Sequence, residues 1–163
     1  MRLRLATPAD LERIALVESL CFPESEAATE AIFQDRLNRY PRHFWLLEDE
    51  ETLVGFLNGM TTDSEHLLDV MYTHADLHDE NGKWQMIFGL DVIPEYRKRG
   101  CAGILLRRMI ADAREQGRQG LVLTCKESLV ACYARFGFRD EGISDSEHGG
   151  VTWHEMRLRF LPV

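Results

Sequence analysis

Apolar and polar residues alternate with changing periods along this chain, and the periods outline its first elements. Residues 2–5 alternate as in a short strand. Thr7 and Pro8 mark a helix start, with Thr7 as the N-cap, and an apolar stripe follows at helical spacing. A second helix is predicted to end near Tyr40. Two apolar runs on either side of the acidic turn at 49–51 then predict a hairpin.

The second half of the chain alternates apolar strands with amphipathic helices. An apolar strand is predicted at 84–93, a helix at 102–116, a buried strand at 121–125 and a helix at 127–136, and two further strands follow. Residues 61–83 are polar and show no clear period. Since there is no repeat, linker or low-complexity segment, we expect residues 1–163 to form a single α+β domain.

A basic, glycine-bearing loop joins the strand at 84–93 to the helix after it. Small residues let backbone N–H groups approach a ligand closely, and the helix start directs its positive end to the same point. The loop contains neither G-x-G-x-x-G nor G-K-[ST], which argues against a dinucleotide fingerprint and a P-loop. A phosphate cradle is therefore predicted at Arg97, Lys98, Arg99, Gly100, Cys101, Ala102 and Gly103.

A second motif, Y-x-x-x-G-F, begins at Tyr133, which lies 33 residues after Gly100. This spacing accommodates a helix, a strand and the start of another helix. In the loop, Arg97, Gly100 and Ala102 match the pattern R/Q-x-x-G-x-G/A. On both motifs and on the order of its elements, the chain resembles the GNAT acetyltransferase superfamily over essentially its whole length. Within that superfamily it is most similar in pattern to the serotonin (arylalkylamine) N-acetyltransferase-like members.

The resemblance implies an α/β (α+β) GNAT fold: a central mixed, mostly antiparallel and splayed sheet of about seven strands, flanked by about four helices. It also implies acetyl-CoA (coenzyme A) as co-substrate and no metal. In that family the loop at 97–103 grips the pyrophosphate. The main chain of Leu90, Asp91 and Val92 is expected to pair with the pantetheine arm. Its N–H groups can also stabilise an oxyanion, typically by about 3 to 4 kcal/mol per donor.

Tyr133 is the candidate general acid, because a phenol with a reference pKa near 10 is protonated at neutral pH and can donate to the departing thiolate. The general base is not evident. The resembling enzymes carry histidines at the positions of Met86 and Phe88, which cannot accept a proton. These two side chains, with Phe22, are expected to line an apolar acceptor pocket. His148, in the final hairpin, is a weaker candidate base, and a water chain to solvent is an alternative.

Other polar side chains offer further candidate sites, and His74 and His78 are, like His148, weaker candidate bases. His74 and His78 have the i,i+4 spacing of ligands on a helix, but no third ligand is evident, so we expect ordinary surface histidines. Glu24, Glu26 and Glu30 could attract an ammonium group, although a solvated acidic loop and helix start explains them as well. Of the four cysteines, those at 101, 125 and 132 are interpreted as structural.

Composition narrows the choice of partners. Nineteen Lys and Arg residues against 27 Asp and Glu give a formal net charge of −8, which argues against nucleic acid and anionic membranes as partners. The cysteines lack C-x-x-C spacing, and no apolar run approaches membrane-spanning length. A cytoplasmic protein with free thiols is therefore expected. Whether it is a homodimer is left open.

Together these features predict an acetyl-CoA-dependent N-acetyltransferase that acts directly on the primary amine of a small molecule, an arylalkylamine among the candidates. Two alternatives remain. One is acetylation of a protein or peptide α-amine, although the segment 123–128 lacks the E-V-R…N residues of the ribosomal-protein enzymes. The other is a non-catalytic acyl-CoA-binding module, suggested by the absent base. The acceptor, the acyl-chain preference and the base are not fixed by the sequence.

Overall fold

The computed structural model describes residues 1–161, which contain nine strands and five α-helices. The strands are β1 (Arg2–Leu5), β2 (Phe44–Asp49), β3 (Thr52–Asn58), β4 (Thr61–Thr62), β5 (Trp84–Ile87), β6 (Gly89–Val92), β7 (Gly120–Cys125), β8 (Arg139–Ile143) and β9 (His154–Arg159). The helices are α1 (Leu11–Cys21), α2 (Glu30–Arg39), α3 (Val70–Thr73), α4 (Cys101–Glu115) and α5 (Val130–Ala134). Contacts between Cα atoms divide the chain into two compact units.

The first unit comprises residues 1–59 and 89–109. Its four strands form an antiparallel sheet in the order β1-β2-β3-β6. Helices α1 and α2 pack on this sheet through an apolar cluster centred on Phe33, whose ring meets those of Phe44 and Phe56 edge-on at centroid distances of 6.1 and 5.6 Å. Edge-to-face rings of this kind stabilise a core beyond the area they bury. The cluster fixes α1 and the sheet of this unit against each other.

The start of α1 is held by an ionic network. Asp10, 4 % exposed, accepts a hydrogen bond from the main-chain N–H of Thr7 at 2.8 Å and one from Arg4 Nη2 at 2.6 Å. Arg4 also donates to Glu48 on β2, from Nε to Oε1 at 2.7 Å. The hydrogen bond from Arg4 is the largest cause of the lowered pKa of Asp10, which falls to about 2. The network therefore links the helix start to the sheet.

Replacing Asp10 with Asn should lower the free energy of unfolding at pH 7 by about 2 kcal/mol, because a carboxylate paired this way resists protonation. Since the folded-state pKa lies below the ordinary value, this stabilisation is present above about pH 4 and is lost as the pH falls towards about 2. Urea unfolding at several pH values measures it. Glu12→Gln, on the exposed side of α1, is the control and should leave stability unchanged.

The second unit comprises residues 60–88 and the chain from 110 onwards. Its sheet has the order β4-β5-β7-β9-β8, with β5 and β7 as the parallel pair. That pairing runs from Trp84 opposite Gly120 to Ile87 opposite Leu123 and ends there. Trp84 is buried, with the guanidinium groups of Arg157 and Arg159 over its ring at 4.6 and 5.0 Å. Cations over an indole face contribute to packing at this sheet.

The mixed α and β order predicted from the sequence is confirmed, and several boundaries differ. The strand predicted at 84–93 is interrupted at Phe88: β5 pairs with β7, whereas β6 pairs with β3, so one expected sheet becomes two. The helix predicted at 127–136 is a 3-10 turn followed by the five residues of α5. Residues 61–83, without a clear period, contain β4, α3 and a 3-10 turn at Ala75–Leu77. These elements are too short to show a period.

Candidate active site

Arg97 to Gly100 of the predicted phosphate-binding loop lie directly before α4, whereas Cys101, Ala102 and Gly103 form the first turn of that helix. Lys98 and Gly100 have positive φ angles of 64° and 82°, and α4 begins at Cys101. This geometry turns the chain sharply into the helix. The first N–H groups of a helix have no preceding turn whose carbonyl groups could accept their hydrogen bonds, so they are free to bind a ligand. A Cβ added to Gly100 would meet no protein atom within 4 Å. The main chain at Gly100 is therefore open to a ligand at the positive end of a 15-residue helix.

Side chains around the loop are held in place by neighbours. The Arg99 guanidinium lies 4.9 Å from the ring centroid of Tyr96, whose hydroxyl donates to Asp49 Oδ2 at 2.8 Å. Arg97 Nε donates to the carbonyl of Val92 at 3.0 Å. Cys101 is buried, so only its main chain can contribute to a ligand. Lys98, Arg99 and Gly100 are exposed. The loop thus combines accessible positive charge with accessible main-chain N–H groups.

Strand β6 is the edge strand of its sheet, so its outer edge is available for the main-chain contacts predicted at Leu90, Asp91 and Val92. The N–H of Ile93 donates to Val54 on β3 at 2.9 Å. Because alternate residues of a strand face opposite edges, Asp91 also faces β3, whereas Leu90 and Val92 direct their N–H groups away from it. Leu90 and Val92 are half-buried. Their orientation is the one required for pairing with an extended ligand.

Asp91 is 1 % exposed, and its side chain lies beside the buried Glu18 of α1. Burial, followed by the charge of Glu18, raises the pKa of Asp91 well above its ordinary value. Cys21, also on α1, donates its thiol to the carbonyl of Val92 at 3.4 Å, and burial raises the pKa of that thiol. Phe22, expected in the acceptor pocket, is half-buried and forms the C-cap of α1.

Four ring side chains form a cluster in the second unit. Phe88 meets Tyr72 at a centroid distance of 5.1 Å, Tyr72 stacks on His148 at 4.9 Å, and His148 meets Trp153 at 6.0 Å. All four are half-buried, so each ring keeps accessible surface. Tyr72 and Trp153 were not identified from the sequence. Met86, expected in the same pocket as Phe88, is fully buried on β5.

Hydrogen bonds fix the segments that carry this ring cluster. Tyr72 Oη lies 3.0 Å from Thr124 Oγ1 on β7, and Trp153 Nε1 donates to the His148 carbonyl at 2.8 Å. Asp69, just before α3, accepts hydrogen bonds from the Ser146 hydroxyl and from the N–H of Glu147. The segment 69–72 is therefore tied to the segment 146–153, and the rings are held in a fixed arrangement.

Tyr133 lies on α5 in the second unit, where it is half-buried. Its ring packs edge-on against Phe138 with a centroid distance of 6.0 Å. Gly137 of the same motif has φ = 96°, a conformation that glycine adopts readily, and it turns the chain from α5 towards β8. The local structure predicted from Y-x-x-x-G-F is thus present, and the catalytic role of Tyr133 stays a prediction.

Several expectations about other polar side chains are corrected. His74 and His78 do not share a helix face, because α3 ends at Thr73. His78 instead accepts from the N–H of Thr61 at 3.1 Å and pairs with Glu80 at 2.8 Å. Glu26 is buried rather than solvated. His148, the weaker candidate base, is half-buried in the ring cluster, and its role stays a prediction.

The cysteine thiols are all free. Cys101 and Cys125 are buried, as a structural role requires, and burial raises the pKa of Cys125 to about 11. A thiol in this state is a poor nucleophile. Cys132 differs from expectation because it is exposed on α5 and does not pack in a core.

Comparison with known proteins decides the family. The model of the Acetyltransferase (GNAT) family matches residues 11–138. This chain belongs to the GNAT family. As a GNAT protein it is an acetyltransferase by family, and its loop before α4 and the edge of β6 are consistent with an acetyl-CoA-type ligand.

The relatives similar in sequence to this GNAT protein are named as N-acetyltransferases. It is 28 % identical to serotonin N-acetyltransferase of Mesocricetus auratus, over 94 % of this chain and 75 % of that protein. It is 31 % identical to N-acetyltransferase 8 of Homo sapiens, over 62 % of this chain but only 40 % of that protein. Among solved structures, the GphF GNAT-like decarboxylase in complex with isobutyryl-CoA superposes with a TM-score of 0.80 at 23 % identity, covering 98 % of this chain and 99 % of that one. At that identity the likeness shows the fold.

Within residues 1–161, no helix of this GNAT protein has the length and apolar character needed to cross a bilayer. The longest is α4, with 15 residues, and it carries several charged side chains.

Proposed function

We propose that this GNAT protein transfers the acetyl group of acetyl-CoA to the primary amine of a small arylalkylamine. The observation that carries the proposal is the ring cluster of Tyr72, Phe88, His148 and Trp153. Accessible aromatic faces bind another aromatic ring by offset or edge-on packing, and they attract an ammonium group through their quadrupoles. An arylalkylamine presents both features in one small molecule.

The cofactor half of the proposal rests on the loop and on β6. Anionic phosphate groups are stabilised at the start of α4 by unsatisfied N–H groups, by the helix dipole and by the exposed charges of Lys98 and Arg99. The outward N–H groups of Leu90 and Val92 can pair with the amide groups of the pantetheine arm. Either of them can also donate to the thioester oxygen as negative charge develops there, which lowers the barrier to attack.

The reaction is direct. The free amine attacks the thioester carbonyl carbon, the nitrogen loses a proton, and the C–S bond breaks. In this scheme Tyr133 donates a proton to the departing thiolate, and CoA leaves as the thiol. No acyl-enzyme is needed, which agrees with the raised pKa values of Cys21 and Cys125.

The substrate class is tested by ranking acceptors. Thiol release from acetyl-CoA is followed with an arylalkylamine, an alkylamine of equal length, a polyamine and a short peptide with a free α-amine. The proposal requires the arylalkylamine to have the highest kcat/KM. A preference for the peptide would identify an α-amine acetyltransferase instead. Tight CoA binding without turnover would identify a non-catalytic binding module.

Phe88→Ala should raise KM for the arylalkylamine by about tenfold, because one ring of the cluster is lost, and should leave KM for acetyl-CoA nearly unchanged. Steady-state kinetics with each substrate varied in turn measure the split. Phe160→Ala, which removes a half-buried ring stacked under Arg114, is the matched control. Equal increases in both KM values would place the acceptor pocket elsewhere.

A further inference from the structure

A small polar pocket in the first unit surrounds the position where Gly89 lacks a side chain. A Cβ added to Gly89 would lie 3.3 Å from Asp91 Oδ1, 3.6 Å from Asn58 Nδ2 and 3.9 Å from Glu18 Oε1. Asp91, Asn58 and Glu18 are 1 %, 0 % and 6 % exposed. We call these three residues the carboxyl pocket.

Among the described residues none of these three atoms has a hydrogen-bond partner when both carboxyl groups are ionised, and Asp91 and Glu18 lie close enough to share a proton when one of them is protonated. The orientation of Asn58 is fixed, because Arg36 Nη1 donates to its Oδ1 at 3.0 Å and an arginine can only donate. The amide nitrogen of Asn58 must therefore face Gly89. Glu18 is likewise oriented, since its Oε2 accepts from the N–H of Ala28 at 2.8 Å and leaves Oε1 towards the pocket. Buried polar groups without partners are costly and frequently mark function.

The pocket has the donor and acceptor pattern of a water site. A water here would accept from Asn58 Nδ2 and donate to Asp91 Oδ1 and Glu18 Oε1, the usual number of bonds for a buried water. Burial and the charge of the nearby Glu18 carboxylate raise the pKa of Asp91, so Asp91 beside Glu18 binds a proton more readily than an exposed Asp does. Such a pair can accept a proton and later release it.

The pocket includes a side chain of β6, the strand whose main chain is expected to hold the thioester. Asp91 is placed between Leu90 and Val92, whose N–H groups face the outer edge of β6. Neither Met86 nor Phe88, at the positions where the resembling enzymes carry histidines, can take a proton. Asp91 lies five residues after Met86 and three after Phe88, and its carboxyl group is able to accept a proton.

We propose that Asp91 and Glu18 act as a pair to accept the proton of the attacking amine, through a water oriented by Asn58; this rests on the proposed N-acetyltransferase activity. After the nitrogen attacks the carbonyl carbon, its extra proton passes to the water, which gives a proton to Asp91. The C–S bond then breaks and the thiolate is protonated. Before the next turnover Asp91 releases its proton to solvent, and Tyr133, the donor to the thiolate, takes one up from solvent, so the cycle is balanced.

The charged groups facing Asp91 set its response to pH. Glu18 and Cys21 face it from α1 and raise its pKa, while Arg36 on α2 lowers it, and burial is the largest cause of the net increase. Because the folded-state pKa is raised, stability associated with Asp91 is present below its ordinary pKa and is lost as the pH rises through the folded-state value. Ionisation of Asp91 therefore lowers the free energy of unfolding, and a role in catalysis would explain why the residue is kept.

Asp91→Asn tests the assignment, since Asn keeps the shape and can donate to Glu18. We expect kcat to fall about 100-fold with an unchanged Kd for CoA. With a weakly basic acceptor such as O-benzylhydroxylamine, whose amine is unprotonated across the assay range, the acid limb of kcat/KM should disappear in Asp91→Asn. At alkaline pH the melting temperature of Asp91→Asn should be higher than that of the wild type. Structural damage caused by the substitution would lower it instead.

Glu18→Gln is the second variant, because Gln can still accept from Ala28, and a shifted acid limb is expected. Glu12→Gln on the same helix is the control and should match wild type. Wild-type kcat and an unchanged acid limb in Asp91→Asn would overturn the pair while leaving the N-acetyltransferase proposal intact. Absence of amine acetylation by the wild-type protein would overturn both.

Discussion

Tyr133→Phe is expected to lower kcat about 100-fold and to leave the Kd for CoA within about twofold of the wild-type value. A phenol that protonates the leaving thiolate acts after attack has begun, so its loss raises the barrier without weakening ground-state binding. A general acid typically increases the rate about 10² to 10⁴-fold. Because a CoA thiolate leaves readily, we expect an effect at the lower end, about 10²-fold. Steady-state kinetics and calorimetric titration with CoA measure the two quantities.

Phenylalanine preserves the edge-on contact with Phe138, so the variant should melt at the wild-type temperature. The alkaline limb of the rate profile should also move or flatten if phenol ionisation sets it. Tyr40→Phe is the control, since it removes a buried phenol at the end of α2 and should leave kcat unchanged. A Tyr133→Phe enzyme with wild-type kcat and pH profile would make Tyr133 a structural residue.

Gly100→Val should abolish measurable CoA binding. Valine at φ = 82° is strained, and its branched side chain would occupy the open space in front of the main-chain N–H groups at the start of α4. Since a Cβ here meets no protein atom, the loss would come from the ligand side of the loop as well as from strain. Calorimetric titration with CoA provides the measurement.

Gly117→Val separates these two causes. Gly117 follows α4, has φ = 76°, and an added Cβ would also meet no protein atom within 4 Å. The strain should therefore be similar, and both variants should melt at lower temperature. Only Gly100→Val should lose CoA. Equal affinity in the two variants would remove the phosphate-binding assignment of the loop.

Features set by neighbouring residues could be predicted from the sequence. The loop before α4 depends on small and basic residues within seven positions, and the turn after Tyr133 depends on one glycine. Both are local choices of backbone conformation, which residue type largely determines. The split of the central strand at Phe88 was not predictable in this way, because it depends on which strand each half pairs with.

Features assembled by distant segments could not be predicted. Tyr72 stacks on His148 although 76 residues separate them, and Tyr72 lies in a segment without a clear period. Glu18 and Asp91 are 73 residues apart. Glu18 lies next to Val17 on α1, and a carboxylate beside an apolar stripe usually faces solvent. Only the fold shows that both carboxyl groups are buried together.

The measurement that tests the account most directly is detection of the acetylated amine. Wild-type protein is incubated with acetyl-CoA and an arylalkylamine such as 2-phenylethylamine, and thiol release and the N-acetyl product, identified by mass spectrometry, are followed together. The account predicts equal amounts of thiol and N-acetyl product, formed much faster than with a peptide α-amine. Thiol release without the N-acetyl product, or acetylation of the peptide alone, would contradict it.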